Sequence, residues 1–178
     1  IARMSKLWLV KMLASLYVDF IRGTPLLVQI FIIYFALPMI TGVRVDPLVA
    51  AITACSINSG AYVAEIFRAG IESIDKGQME AARSLGMNYR LSMTEIILPQ
   101  AIKRILPTLV SEFITLLKET SIVGFIGGVD LLRSANIITS QTYRGVEPLL
   151  AVGLVYLILI GIFTKIMRIV ERSLKVSD

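Results

Sequence analysis

Residues 80–99 read EAARSLGMNYRLSMTEIILP and interrupt an otherwise strongly apolar sequence. Residues 80–85 are mostly good helix formers, and Gly86 stands where a helix would end in a left-handed residue. A second helical run is predicted over Leu91–Leu98, ending before Pro99 because proline disfavours helical geometry in the residue that precedes it. The order therefore predicts a helical hairpin made of a helix, a glycine turn and a second helix.

The composition around this segment is that of a membrane protein. Of 178 residues, 56% are hydrophobic and only 17% are charged, with a mean hydropathy of +0.77, whereas soluble domains are about 25% charged. The net charge is +5, but the basic residues flank apolar runs, which favours anionic lipid head groups over nucleic acid as their partner. The absence of histidine excludes a histidine metal site or general base, and the single Cys55 excludes an internal disulfide.

Four long runs of mainly apolar residues predict membrane spans. The predicted fold class is therefore an all-α transmembrane bundle. Each run is long enough, or nearly so, for the roughly 20 residues that cross a bilayer. Residues 1–22 mix basic and apolar side chains and predict an amphipathic helix in the membrane interface, the alternative being the end of an earlier span. The predicted spans are residues 23–43, 47–64, 105–129 and 148–164.

Counting basic residues predicts the orientation of these spans. Residues 1–22, 68–104 and 165–178 hold fourteen of the 18 lysines and arginines, whereas the opposite loops hold only Arg44, Arg133 and Arg144. The positive-inside rule therefore places the loop of residues 68–104 and the C-terminus in the cytoplasm.

Two of the predicted spans carry polar side chains along one helix face. Asn58, Tyr62 and Glu65 are spaced i, i+4, i+7, and Glu112 and Glu119 share a face of the third span. Polar groups inside a bilayer face the protein interior or a wet cavity, so these faces predict a substrate pathway. The candidate pathway residues are Asn58, Ser59, Tyr62, Glu65, Glu112, Thr115, Lys118, Glu119 and Thr120.

Four motifs in a fixed order resemble one family over nearly the whole chain. They are the Glu80–Pro99 segment and three flanking segments, RGTPLLVQ at residues 22–29, NSGAYVAEIFR at residues 58–68 and LKETS at residues 117–121. Together they resemble the polar amino acid branch of the ABC importer permeases, whose cytoplasmic EAA loop is represented here by Glu80–Pro99. The resemblance implies a type I ABC importer permease fold with five spans in the full-length protein, the first of which is expected to precede Ile1.

This resemblance also implies roles and partners. The chain is expected to form a single permease domain over residues 1–178, in which the loop at 68–104 docks into an ATP-binding subunit. The expected assembly adds a second permease chain, identical or paralogous, and an extracytoplasmic binding protein that meets the outer loops at residues 41–46 and 130–147. The residues expected to couple the loop to the ATPase are Glu80, Ala81, Ala82, Gly86 and Pro99.

The resemblance also implies that ATP is hydrolysed by a separate subunit. No Gly-x-x-x-x-Gly-Lys-Ser/Thr pattern is present, so ATP and Mg²⁺ are expected in a partner subunit, and no cofactor, metal or catalytic residue is expected in this chain. In the pathway, an acidic side chain would accept the ammonium of an amino acid, and Lys118, Asn58, Ser59 or Thr120 would donate to its carboxylate. The segment Arg22–Pro25 is interpreted as a helix start and is assigned no ligand.

Several alternatives remain open at this stage. Lys118 and Glu119 could pair structurally and line no ligand. The solute could be an opine or a small peptide, the direction could be export, and the chain could be a membrane scaffold. An intramembrane enzyme using Glu112 and Lys118 is disfavoured because no nucleophile and base stand together.

Overall fold

The computed structural model describes residues 2–4 and 7–175, with side chains placed for Ala2, Arg3 and residues 7–169. Lys6 and residues 176–178, which the charge count assigns to the cytoplasm, lie outside this described part. Every regular element in the described part is helical. The α-helices are α1 (Trp8–Arg22), α2 (Leu26–Phe31), α3 (Leu37–Thr41), α4 (Pro47–Glu72), α5 (Lys76–Ser84), α6 (Tyr89–Ser92), α7 (Leu98–Glu119), α8 (Leu131–Thr142) and α9 (Val146–Lys175).

Each of the four predicted spans falls on a helical segment, but only two, or three if a bent pair is counted as one, are found among the described residues by length and apolar composition. Among the described residues, α4 and α9 are individually long and apolar enough to cross a membrane. The α1 and α2–α3 segments meet that test only as a pair, and they meet at a bend of 102°. The third predicted span begins earlier than expected, at Leu98, and its α-helix ends at Glu119 in a 3₁₀ segment, Thr120–Ile126.

Two π-helical turns precede prolines, and one of them corrects the sequence-based prediction. The turn Ile32–Ala36 stands two residues before Pro38, and the turn Met93–Ile97 stands two residues before Pro99. Leu98 is helical and its N–H bonds to the carbonyl of Met93, five residues back, so the prediction that the helix ends before Pro99 is wrong. The wider turn accommodates a proline ring that would clash with the carbonyl four residues earlier in an α-helix.

Small residues on α4 let neighbouring helices approach closely. Ala50, Ala51 and Ala54 are buried against Leu26 and Ile30 of α2. Further along α4, Ala61 is buried against Val18 and Ile21 of α1. Short side chains at such contacts bring backbones together and maximise packing within a bilayer. α4 is therefore the central helix on which α1 and α2 are positioned.

The residues of α9, unlike those of α4, are hardly buried by other parts of the chain. Of the 18 residues in its most apolar stretch, only 6% are buried. Its outward side chains, such as Leu154, Leu157 and Ile162, are at least half exposed. An apolar helix with so little protein around it is suited to contact lipid.

Candidate functional site

The hairpin that follows α4 is built by three local signals. The Asp75 carboxylate caps α5 by accepting from the N–H of Gly77 at 2.7 Å. Gly86, with φ +84°, ends α5 in the predicted left-handed conformation. The Asn88 side chain then caps α6 by accepting from the N–H of Leu91 at 3.0 Å. Each of these residues is favoured at its position for the bond or the φ angle it supplies.

The turn at Gly86 is a complete Schellman motif. The N–H of Gly86 donates to the carbonyl of Arg83 at 3.0 Å, and the N–H of Met87 donates to the carbonyl of Ala82 at 3.2 Å. These bonds satisfy carbonyls that the end of α5 would otherwise leave without partners. The predicted glycine turn is confirmed.

The exposed face of the hairpin differs from the predicted set in one residue. Glu80, Ala81, Gly86 and Pro99 are exposed, and the Glu80 carboxylate makes no hydrogen bond or ion pair within the described part of the chain. Leu85, at the end of α5, is 84% exposed. Ala82 is only 4% exposed, so the expectation that its side chain offers a surface to a partner is wrong. Successive residues of an α-helix are rotated by about 100°, so Ala82 faces the protein while its neighbours in α5 face outward.

A small apolar core joins this hairpin to α4 and α7. Ile74, Ile97, Ala101 and Ile105 are buried together, with Met79 of α5 packed against them. Arg104 also donates from Nη1 to the backbone carbonyl of Ser73 at 2.6 Å. Because close-packed side chains transmit displacement, a force on α5 reaches both membrane helices through this core.

Glu65 lies at the centre of an arginine cluster. Arg3 donates from Nη1 to its Oε2 at 2.7 Å, and Nε of Arg68 donates to the same oxygen at 2.9 Å. Arg22 stands at 3.8 Å from its Oε1, too far for a hydrogen bond. The Glu65 carboxylate is thus held by arginines, and its role as an acceptor for a substrate ammonium stays a prediction.

Three predicted pathway residues meet in one cavity of about 440 Å³. Asn58, Tyr62 and Glu119 line it together with the segment Arg22–Leu27 and Ile122. The segment Arg22–Pro25, to which the sequence motif assigns no ligand, forms part of the wall of the cavity. It does so because the bend between α1 and α2 turns the segment toward α4 and α7.

Asn58 is held in place by Gln29, which is not among the predicted pathway residues. Its side chain is 4% exposed and donates from Nδ2 to Oε1 of Gln29 at 3.1 Å. Gln29 in turn donates from Nε2 to the carbonyl of Ile21 at 2.8 Å and to Thr24. The available signal was an amide side chain within the uncharged run 23–43, since polar groups in a membrane span need partners.

The remaining candidates do not line this cavity. Ser59 is half-buried on α4, the exposed side chains of Thr115 and Lys118 lie on α7, and the hydroxyl of Thr120 donates to the carbonyl of Leu117 at 2.8 Å. Within the described part of the chain, no ion pair involves Lys118 or Glu119. The alternative of a Lys118–Glu119 pair therefore has no support within this chain.

Glu112 is half-buried on α7 without an ion-pair partner in the described residues. The wall of the cavity itself holds one carboxylate, that of Glu119, and one guanidinium, that of Arg22. Among the described residues, no group of three acidic or cysteine side chains is arranged to hold a metal ion.

Comparison with known proteins identifies relatives of this chain. Residues 1–176 match the model of the family described as "Binding-protein-dependent transport system inner membrane component". The arginine transport system permease protein ArtQ of Bacillus subtilis is 49% identical over 93% of this chain and 76% of its own length. The glutamine transport system permease protein GlnP of Escherichia coli is 40% identical over 95% of this chain and 78% of its own.

A solved structure resembles this chain in both sequence and shape. The crystal structure of an amino acid ABC transporter with histidines contains a chain that is 48% identical, with a TM-score of 0.91. The match covers 97% of this chain and 80% of that one.

Proposed function

This chain belongs to the binding-protein-dependent transport system inner membrane components, the permeases of ABC importers, and from that premise we propose that it carries polar amino acids through the cavity between α2, α4 and α7. Such a permease is a multi-pass protein of the inner membrane and is not an enzyme.

The observation that carries the proposal is the chemistry of the cavity wall. Glu119 lines the cavity and has no ion-pair partner among the described residues, while Arg22 places a guanidinium in the same wall. A zwitterionic amino acid needs an acceptor for its ammonium and a donor for its carboxylate, and charge-assisted hydrogen bonds supply both. The names of the relatives, which specify arginine and glutamine, support the same class of substrate.

The coupling step is assigned to the hairpin. Glu80, Ala81 and Gly86 are exposed and would dock into a cleft of a separate ATP-binding subunit. Movement applied there would pass through the core around Ile97 and Ile105 to α4 and α7, which carry Asn58 and Glu119. Alternating access then follows from the relative displacement of these helices.

The partners are those that this mechanism requires. ATP and Mg²⁺ would be bound by the ATP-binding subunit, and a second permease chain would complete the pathway. An extracytoplasmic binding protein would deliver substrate to the outer ends, at residues 41–46 and 130–147. The cytoplasmic position of the hairpin is supported by the distribution of basic residues.

Transport by the reconstituted complex tests this proposal. The chain is assembled with its ATPase and binding protein in proteoliposomes, and ATP-driven uptake of radiolabelled L-arginine and L-glutamine is measured. Glu119→Gln is expected to lower uptake at least tenfold at limiting substrate, which is the loss of about 1.4 kcal/mol of binding. Asp19→Asn removes the charge of a side chain that is 63% exposed on α1, keeps an oxygen that can accept from Arg3, and serves as the matched control.

Two results would count against the proposal. If neither amino acid stimulates ATP hydrolysis or accumulates in the vesicles, the substrate class is wrong. If uptake is normal and Glu119→Gln behaves like Asp19→Asn, amino acids cross the complex by another route.

A further inference from the structure

Two side chains belong to the walls of two neighbouring cavities. Arg22 and Tyr62 line the cavity of about 440 Å³ that contains Asn58 and Glu119. The same two residues line a second cavity of about 450 Å³, which extends to Ser73 and Arg104 beside the hairpin. Since each cavity has both side chains in its wall, the Arg22–Tyr62 contact lies where the two cavities adjoin, and we name it the partition.

The partition is formed by a contact between a cation and an aromatic ring. The guanidinium carbon of Arg22 lies 5.2 Å from the centroid of the Tyr62 ring, within the range of cation–π attraction. Tyr62 is half-buried on the central helix α4. Arg22, by contrast, is the last residue of α1, and the chain turns by 102° between α1 and α2. One half of the contact therefore sits at a bend, and the other half sits on a packed helix.

Arg22 is the most weakly attached member of the arginine cluster. It stands 3.8 Å from Oε1 of Glu65, whereas Arg3 makes a hydrogen bond of 2.7 Å and Arg68 bonds both carboxylate oxygens. If Arg22 moved away, Glu65 would keep these partners. The departure of Arg22 would thus leave no buried charge unpaired, which is the main cost of breaking such a cluster.

We propose that Arg22 is the inner gate of the transport pathway, closed when it stacks on Tyr62 and open when that contact is broken. The proposal rests on the proposed function, because it assumes that the first cavity holds the transported solute. In the closed arrangement the Arg22–Tyr62 contact stands between the solute in the first cavity and the second cavity. Displacement of α4 by the hairpin carries Tyr62 relative to Arg22 and so moves the gate.

Leakage from loaded vesicles tests the gate without ATP. Proteoliposomes containing the assembled complex are loaded with radiolabelled L-arginine or L-glutamine, and efflux is followed in the absence of nucleotide. Arg22→Ala and Tyr62→Ala are expected to leak about tenfold faster than the wild type, the shift in open population that loss of a partly desolvated cation–π contact produces. Tyr62→Phe keeps the ring and is expected to retain its load.

Lys11→Ala is the matched control, because Lys11 is an exposed basic residue on the same helix as Arg22. The gate is overturned if Arg22→Ala and Tyr62→Ala both retain their load as Lys11→Ala does, or if Tyr62→Phe leaks as fast as Tyr62→Ala. Size-exclusion chromatography reports whether each complex assembles, and should Arg22→Ala fail to do so, the Tyr62→Ala and Tyr62→Phe pair decides the question.

Uptake by the wild type, measured in parallel, separates this proposal from the proposed function. A wild type that accumulates neither amino acid contradicts the substrate class, whereas the difference in leakage between variants still reports on the gate. Conversely, normal uptake with unchanged leakage in the variants contradicts only the gate.

Discussion

Gly70 of α4 and Ile105 of α7 are in direct contact because Gly70 has no side chain. A Cβ built on Gly70 would lie 2.1 Å from Cγ1 of Ile105, well inside the separation of two carbon atoms. Ile105 is 3% exposed and belongs to the core that joins the hairpin to the membrane helices. The close crossing of α4 and α7 beside the hairpin therefore depends on this glycine.

Substitution at this contact predicts a destabilisation that a second change relieves. Gly70→Ala should lower the free energy of unfolding by about 1–3 kcal/mol through overpacking. Ile105→Ala alone should lower it by about 2–5 kcal/mol because it leaves a cavity. In the double variant Gly70→Ala/Ile105→Ala the two losses should be less than additive, since the space left by Ile105 admits the new methyl group. Thermal unfolding of the purified complex in detergent measures all four proteins, and strictly additive losses would contradict the contact.

The exposed turn at Gly86 predicts loss of coupling without loss of membrane insertion. Nothing lies within 4 Å of a Cβ at Gly86, so the penalty for Gly86→Ala comes from the backbone, which has φ +84°. That penalty is about 1–2 kcal/mol for an L-residue in the left-handed region, and Gly86→Asn should be milder because asparagine tolerates this conformation. ATP hydrolysis should continue in Gly86→Ala while substrate uptake falls.

Gly153→Ala is the control for that experiment. Gly153 lies within α9 and also has open space around a Cβ, but its φ is not in the left-handed region. The ratio of substrate taken up to ATP hydrolysed should be unchanged by Gly153→Ala. An equal ratio in Gly86→Ala and Gly153→Ala would show that the turn does not transmit force.

The two alanines after Glu80 are predicted to respond differently to enlargement. Ala82 is 4% exposed, so Ala82→Leu should overpack the chain and lower its stability by about 1–3 kcal/mol. Ala81 is exposed, so Ala81→Leu should leave the stability of the isolated permease unchanged and weaken its binding to the ATP-binding subunit. Unfolding of the isolated permease and pull-down of the ATPase separate the two effects. Equal stability losses would contradict the assigned orientations.

The Asn58–Gln29 hydrogen bond predicts a coupled loss at the cavity. Asn58→Ala leaves Oε1 of Gln29 buried without this donor, which typically costs about 1–3 kcal/mol. Gln29→Ala should have a similar effect on uptake and stability, and the double variant should be little worse than either single one. Ser59→Ala changes the neighbouring residue outside the cavity and is the control. If Asn58→Ala and Glu112→Gln both keep the uptake rate and the substrate preference of the wild type, the substrate pathway lies elsewhere.

Much of this architecture was predictable because its causes are local. The apolar runs predict the helical segments, and Gly86 predicts the turn. Asp75 and Asn88 stand at helix starts, where their side chains cap the backbone. The prediction that a helix ends before Pro99 was wrong because the π turn at Met93–Ile97 widens the helix and lets it continue past the proline ring. A proline by itself indicates only that an ordinary α-helical turn is interrupted.

The candidate site was only half predictable from residues spaced along one helix. Asn58, Tyr62 and Glu119 were identified by helical spacing and do meet in one cavity. Helical spacing carries no information about other helices, so the arginines around Glu65 and the amide of Gln29 were not anticipated. Arg3 and Glu65 are 62 residues apart in sequence, and no local pattern links them.

The sequence by itself determined that this chain is a helical membrane protein, where its polar hairpin lies, and which family its ordered motifs resemble. Those properties follow from hydrophobicity, backbone preference and residue order, all of which are set within a few helical turns. Only the tertiary structure decided that Glu80–Pro99 is tied to the spans through Ile105 and Gly70, that Ala82 points inward, and that Arg22 lies between two cavities. These depend on the angle between α1 and α2 and on the closeness of α4 to α7, which are set by packing between distant segments.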